Sequence, residues 1–261
     1  MRTLMYHDIA PSASRDEVGF PGPLAARYKL EPEAFEAHLD ALAQTRLRVG
    51  TLATASGPPP QLSLSFDDGG SSALLAAQAL ERRGWRGQFF ITTGCLGTPG
   101  FLAAEDLHDL ARRGHAIGAH SHTHPTYMGR LTREGLDREW RLSRHVLEDI
   151  LGAPPRSASV PGGHLSHAVI VAAAAAGYEL LFTSEPTARV GRLGEMAIRG
   201  RYTIWSTTPA RVAVAYSRGR RIACTRLWLE WNAKKLAKNV SPSAYQALRR
   251  VRAGSVRAGR S

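Results

Sequence analysis

The sequence predicts an α/β protein built on a mainly parallel sheet. Short apolar runs alternate with helical patterns along most of the 261 residues, which is typical of repeated strand–helix units. The two cysteines, Cys95 and Cys224, lie far apart without a CxxC pair, so neither a disulfide scaffold nor a cysteine-ligated zinc site is expected. No apolar run reaches the roughly 18 residues that a membrane-spanning helix needs. The pattern therefore favours a water-exposed domain with its own apolar core.

About seven strands are predicted, and both a barrel and an open doubly wound sheet would accommodate them. The first strand is predicted at 3–6, ahead of a long loop with several prolines and glycines. Pro32 suits the first position of a helix because its φ is already helical. Leu and Ser alternate at 62–66, as in a strand. Further strands are predicted at 88–91, 116–119, 157–160, 179–182 and 201–205, and helices at 33–44, 72–83, 104–113, 132–151 and 166–176.

Positive charge is concentrated at the C-terminal end. Residues 218–261 hold twelve lysines and arginines and one acid, Glu230, which gives a net charge of +11. Residues 1–217 hold 22 basic and 21 acidic residues. We therefore expect a near-neutral domain at 1–217 and a basic helical tail at 218–261. Apolar residues at helical spacing predict one helix around 227–236 and a second around 244–251.

Three interpretations of the basic tail are open. The simplest is a helix that packs on the domain and is followed by a frayed end. The second is docking on an anionic membrane surface or a lipid-linked substrate, with Trp228 and Trp231 at the interface. Nucleic-acid binding is the least favoured, because the tail contains no recognised nucleic-acid motif. The first residues, MRTLMYHDIA, lack the apolar run of a signal peptide, which predicts a cytoplasmic protein, peripheral at the inner membrane face if the tail docks there.

Two adjacent carboxylates follow the strand predicted at 62–66. The segment reads Ser-Phe-Asp-Asp-Gly-Gly and contains Asp67 and Asp68. In parallel α/β sheets, sites are built where strands end. A plain Asp-Gly turn that caps the next helix would produce the same residues.

Three histidines follow the strand predicted at 116–119, in the segment HSHTHP at 120–125. Imidazole is the commonest metal ligand at neutral pH, although a solvated histidine-rich loop is the simpler alternative. His120 and His124 could converge on one ion. With one carboxylate they would make a three-ligand site with room for water, as catalytic metal sites require. The second carboxylate could then act as a base toward that water.

These two motifs resemble those of the polysaccharide deacetylase family, whose catalytic unit is often called the NodB homology domain. SFDDG at 65–69 is similar to the family's TFDDG, and HSHTHP is similar to H[ST]xxHP. The resemblance implies that Asp67 is the catalytic base. It also implies that a divalent metal, with zinc the expected ion, is held by Asp68, His120 and His124. It further implies a distorted (β/α) barrel of about seven strands, to which the tail adds a basic helical extension.

Two positions depart from the family's usual pattern. The third motif is usually RxPxG, and here Ser159 occupies the place of the arginine that orients the base. The family's late histidine, the general acid, has no counterpart after His167. Residues 4–8, LMYHD, are similar to the LxYH segment of members in which the last strand comes first. By that resemblance His7 is the general acid.

The expected function is that of a metal-dependent hydrolase. It would remove an N-acetyl or other N-acyl group from an amino sugar or saccharide, with an aspartate base and metal-bound water. A module of the same fold that binds metal or saccharide without catalysis is the alternative, favoured by the missing arginine at Ser159.

Overall fold

In the part of the chain that the structure describes, nine strands form one curled sheet, which has the shape of a half-barrel. The computed structural model describes residues 1–52, 58–163 and 165–240. The strands are β1 (Arg2–Tyr6), β2 (Leu62–Phe66), β3 (Gln88–Ile91), β4 (Ala116–Ala119), β5 (Ser157–Ser159), β6 (Leu180–Phe182), β7 (Val190–Leu193), β8 (Met196–Arg199) and β9 (Tyr202–Thr203).

The strand order is β7-β8-β6-β5-β4-β3-β2-β1-β9. All paired neighbours are parallel except β7 and β8, which form an antiparallel hairpin. The predicted mixed α/β fold of the distorted-barrel type is confirmed, but the described residues contain nine strands where about seven were expected. The difference is this hairpin, whose first strand is mostly exposed and therefore lacks the apolar pattern of a buried strand.

Helices flank the sheet and follow the predicted positions closely. They are α1 (Pro32–Ala43), α2 (Ala73–Glu81), α3 (Ala104–Arg112), α4 (Arg133–Leu151), α5 (His167–Ala175), α6 (Ala210–Ser217) and α7 (Arg221–Val240). Pro32 is the first residue of α1, as its fixed φ predicts. The short helix α6 was not predicted.

Helix α7 belongs to the tail and contacts α6. Its Leu227 is buried, with 6% of its surface exposed, so this part of the tail packs on the domain. The second predicted tail helix, at 244–251, lies outside the described residues. The division into 1–217 and 218–261 stays a prediction.

The core lies on the sheet, whose central strands are buried on both faces. All five residues of β2 and all four of β3 and of β4 are buried. Phe66 stacks between Tyr6 and Phe89, with ring centroids 5.5 and 4.9 Å apart. Such aromatic pairs contribute about 0.5–1.5 kcal/mol beyond their burial. Because β1, β2 and β4 are parallel, their carboxyl ends are brought to one edge of this rigid layer.

Candidate active site

The predicted site residues meet at the carboxyl end of the sheet. His7 follows β1, Asp67 and Asp68 follow β2, and His120 follows β4 directly. His124 comes from the loop after β4. All five line one cleft of about 490 Å³. The sequence spacing alone could not show this, because residues from three strands become neighbours only when those strands pair in parallel.

Asp68, His120 and His124 form a compact cluster of potential metal ligands. One ligand atom from each lies within 4.8 Å of the other two. The Nε2 atoms of both histidines are 3.4 Å from Asp68 Oδ1. Two nitrogens and one oxygen at these separations match the donor set and the spacing of a three-ligand zinc site.

The hydrogen bonds around this cluster fit a bound cation. Asp68 Oδ1 is buried and has no hydrogen-bond partner among the described residues, although a buried carboxylate oxygen left alone is costly. His120 Nδ1 lies 3.1 Å from the carbonyl oxygen of Ser159. Donation of an Nδ1 proton to that carbonyl leaves the lone pair on Nε2, the atom that faces Asp68.

The backbone at the cluster is strained. Asp68, Ser121 and His124 have φ values of 79°, 62° and 54°, in the left-handed region that residues with a Cβ seldom adopt. Such residues cost on the order of 1 kcal/mol or more each and are concentrated at functional sites. The folded protein therefore keeps an unfavourable backbone conformation at the residues where these side chains come together.

A buried carboxylate holds the histidine loop in place. Glu139 of α4 accepts hydrogen bonds from the backbone N–H groups of His122 and Thr123, at 2.9 and 2.8 Å. The His122 ring lies 2.9 Å from Thr93 Oγ1. His122 thus points away from the ligand cluster toward the neighbouring strand's end, and Glu139 fixes the loop that carries His124.

Arg201 is the residue of the site that sequence reasoning missed. It is fully buried, and its guanidinium binds Asp67 through two hydrogen bonds, Nη1 to Oδ1 at 2.6 Å and Nη2 to Oδ2 at 2.8 Å. Nη2 also donates to Ser159 Oγ at 2.6 Å. The guanidinium that the third motif usually supplies is therefore present, but it comes from the turn between β8 and β9.

Charge around Asp67 is consistent with an ionised carboxylate. Burial alone would raise the pKa of Asp67, but Arg201, followed by His120, outweighs it and the pKa lies below its ordinary value. One signal in the sequence could have pointed to Arg201, namely an arginine beside an apolar strand in a domain whose motif arginine is missing. The two residues are 134 positions apart, so spacing gave no hint of their pairing.

His7 lies at the same cleft, and its surroundings lower the pKa of its imidazole. Burial lowers its pKa, although the Asp68 and Asp67 carboxylates act in the opposite direction. Its Nδ1 atom is buried without a hydrogen-bond partner among the described residues. Its ring contacts Tyr28, with centroids 4.4 Å apart, so the ring's position is set by the loop between β1 and α1.

Comparison with known proteins agrees with this geometry. The family model for polysaccharide deacetylase matches residues 54–181, a range that holds Asp67, Asp68, His120 and His124 but neither His7 nor Arg201. No curated protein sequence matches the chain significantly.

Solved structures share the fold at low sequence identity. A polysaccharide deacetylase from Bacillus cereus has a TM-score of 0.69 and 20% identity, and the match covers 83% of this chain and 68% of that one. IcaB from Ammonifex degensii has a TM-score of 0.66 and 22% identity over 83% and 96% of the two chains. A de-N-acetylase from Aggregatibacter actinomycetemcomitans has a TM-score of 0.68 and 16% identity over 82% and 98%. The family model and the solved structures agree, and the predicted resemblance to the polysaccharide deacetylase family is confirmed.

Proposed function

We propose that this protein is a metal-dependent hydrolase that removes an N-acyl group, most simply acetyl, from an amino sugar or saccharide. One observation carries the proposal. The carboxylate of Asp67, which is bound by Arg201, lies in the same cleft as the three-donor cluster of Asp68, His120 and His124. A divalent cation bound there, with zinc the expected one, would act as a Lewis acid on the acyl carbonyl and lower the pKa of water. The match of residues 54–181 to the polysaccharide deacetylase family model supports the substrate class.

The chain's own residues take the proton-transfer roles. Asp67 is ionised and is held in one orientation by Arg201, so it can accept a proton from the attacking water. His7 is assigned as the group that protonates the leaving amine, since amide cleavage needs an acid at that nitrogen. Burial lowers the pKa of His7, whereas the Asp68 and Asp67 carboxylates act to raise it, so these ionised carboxylates favour the protonated form that this role requires.

Arg201 removes the main reason for preferring a non-catalytic module. That alternative rested on the serine at position 159, which was expected to leave Asp67 without a guanidinium. Since Arg201 supplies one, the arrangement of buried charge around Asp67 favours catalysis over mere binding.

The test is acetate release from N-acetylated chito-oligosaccharides by the full chain loaded with zinc. We expect release by the wild type and a loss of about 100-fold or more in Asp67→Asn, with the bound metal retained. An Asp67→Asn variant with near-normal turnover would show that Asp67 is not the base. A protein that binds these saccharides in the presence of zinc but releases no acetate would support the binding module instead.

We also propose that α7 docks on an anionic membrane surface. Ile222, Leu229 and Leu236 are 88%, 55% and 65% exposed and lie seven residues apart, so they share the side of the helix away from buried Leu227. An exposed apolar stripe on a segment of net charge +11 suits anionic lipid. No helix in the described ranges is long and apolar enough to span a bilayer. The cytoplasmic location stays a prediction.

Sedimentation with phosphatidylglycerol-containing vesicles at low salt tests this docking. Wild type should co-sediment and Leu229→Asp should remain in solution, whereas the control Leu75→Asp, at an exposed apolar position on α2, should behave as wild type. Wild type that stays in solution would exclude the docking.

A further inference from the structure

The outer part of the cleft carries cations that hydrolysis of a neutral sugar does not require. Helix α7 forms one wall of this outer part with Leu227, Trp231, Lys234 and Lys235, and the loop between β1 and α1 contributes Arg27. The tail is thus part of the cleft as well as an appendage to the domain.

These cations are held on aromatic rings. The Arg27 guanidinium lies 5.2 Å from the centroid of the Trp205 ring, and Lys234 Nζ lies 4.5 Å from the same centroid. Lys235 Nζ lies 5.1 Å from the Trp231 ring. A cation over an indole ring is positioned without its charge being neutralised. Arg27 and Lys235 have no carboxylate partner among the described residues.

A continuous line of rings connects these cations to the reacting end of the cleft. His7 contacts Tyr28, with centroids 4.4 Å apart, and Tyr28 contacts Trp205 at 4.6 Å. Aromatic surfaces of this kind are suited to the apolar faces of sugar rings. A saccharide whose acyl group reaches Asp67 would therefore extend along the rings toward Arg27 and Lys234.

The charge balance of the outer cleft is positive. Apart from Asp67 and Asp68 at its base, the described residues of the lining include one carboxylate, Glu185, against three cations. Arginine and lysine together are the groups that proteins use to bind phosphate. We propose that the cleft accepts an amino sugar that carries a phosphate ester, and that Arg27, Lys234 and Lys235 bind the phosphate.

The choice of an amino sugar as ligand rests on the proposed hydrolysis, but the phosphate site can be tested by binding alone, without turnover. Binding is measured calorimetrically on the full chain in the Asp67→Asn background, with N-acetylglucosamine, N-acetylglucosamine 1-phosphate and UDP-N-acetylglucosamine as probes. We expect at least one phosphate-bearing probe to bind roughly tenfold tighter than the neutral sugar, as charge-assisted contacts imply. Tight binding of the 1-phosphate would indicate a monoester, and tight binding of the UDP-sugar alone would indicate a diphosphate.

Charge-matched variants locate the phosphate. The tighter binding of phosphate-bearing probes should disappear in the double variant Lys234→Gln/Lys235→Gln. It should persist in Arg221→Gln, which removes a charge from the exposed start of the same helix. Equal affinity for neutral and phosphate-bearing probes would overturn the inference. An advantage that survives the double lysine variant would also overturn it, because the phosphate would then bind elsewhere, such as on the metal.

Acetate release by the wild type separates the two proposals. Phosphate-dependent binding without acetate release from any probe would leave the anion site in place and reject the hydrolysis. Equally fast release from neutral and phosphate-bearing sugars, with no preference in binding, would support the hydrolysis and reject the anion site.

Discussion

The Asp67–Arg201 pair should be strongly coupled in the folded protein. Both side chains are almost completely excluded from solvent, at 3% and 0% exposed, and two short hydrogen bonds join them. Removal of one partner from such a buried pair costs about 3–5 kcal/mol, because the other charge is left without compensation. We therefore expect Arg201→Met to lower the free energy of unfolding by about that amount.

A double-mutant cycle with Asp67→Asn isolates the interaction itself. The coupling should lie near the upper end of the roughly 0.5–3 kcal/mol that contacting residues show, measured by urea unfolding followed by circular dichroism. The chain offers a control in Arg156 and Glu179, an ion pair whose side chains are 70% and 54% exposed. Exposed pairs of this kind contribute between zero and about 1 kcal/mol. Additive effects at Asp67 and Arg201, within about 0.5 kcal/mol, would refute the reasoning.

Relocation of the guanidinium tests its role beyond stability. Arg201→Ser should reduce acetate release because the pKa of Asp67, then governed by burial, rises. Ser159 Oγ lies 3.3 Å from Asp67 Oδ2, so Ser159→Arg in the Arg201→Ser background places an arginine next to the same carboxylate. We expect partial recovery of the rate. If the guanidinium served stability alone, the Ser159→Arg/Arg201→Ser variant would regain stability but not the rate of acetate release.

Three further predictions concern metal, loop and pH. Elemental mass spectrometry should find about one zinc per chain in wild type and in the surface control His145→Ala, but none in His124→Ala; metal retained in His124→Ala would contradict the ligand assignment. Glu139→Gln should weaken zinc affinity about 10–100-fold, as measured by competition with a chelator, and an unchanged affinity would show that the loop needs no anchor. The free energy of unfolding should fall as pH drops through about 6.5, because burial lowers the pKa of His38 and the unfolded chain therefore takes up that proton first. The urea midpoint of His38→Asn should depend less on pH than that of the wild type. An equal pH dependence in the two proteins would contradict this.

Sequence alone predicted the elements whose pattern is set by burial. Strand β2 alternates large apolar residues with serines, and β3 is apolar after Gln88, and the boundaries of both strands were predicted correctly. The hairpin of β7 and β8 was missed because its exposed edge strand has no apolar side to detect. Helix α6 was missed because its short run of alanines and valines fits either type of element.

The candidate site was predicted where its chemistry is local in sequence. Asp67 and Asp68 are adjacent, and His120 and His124 lie within one short loop, so motif spacing sufficed. Arg201 escaped because a single buried arginine carries no motif. The cations of the outer cleft escaped as well, since the tail's charge was interpreted as a property of a separate segment.

The separation of Asp67 from Arg201 has a consequence for how the protein is made. Chains emerge from the ribosome at about 5–20 residues per second, so the 134 residues between the two delay their pairing by on the order of 10 s. During that interval Asp67 cannot be buried as an ion without large cost, because its counter-charge has not been synthesised. The cluster around Asp67 therefore closes late, when nearly the whole sheet is available, and a partly synthesised chain would contain Asp68, His120 and His124 without the cation that offsets the buried charge of Asp67.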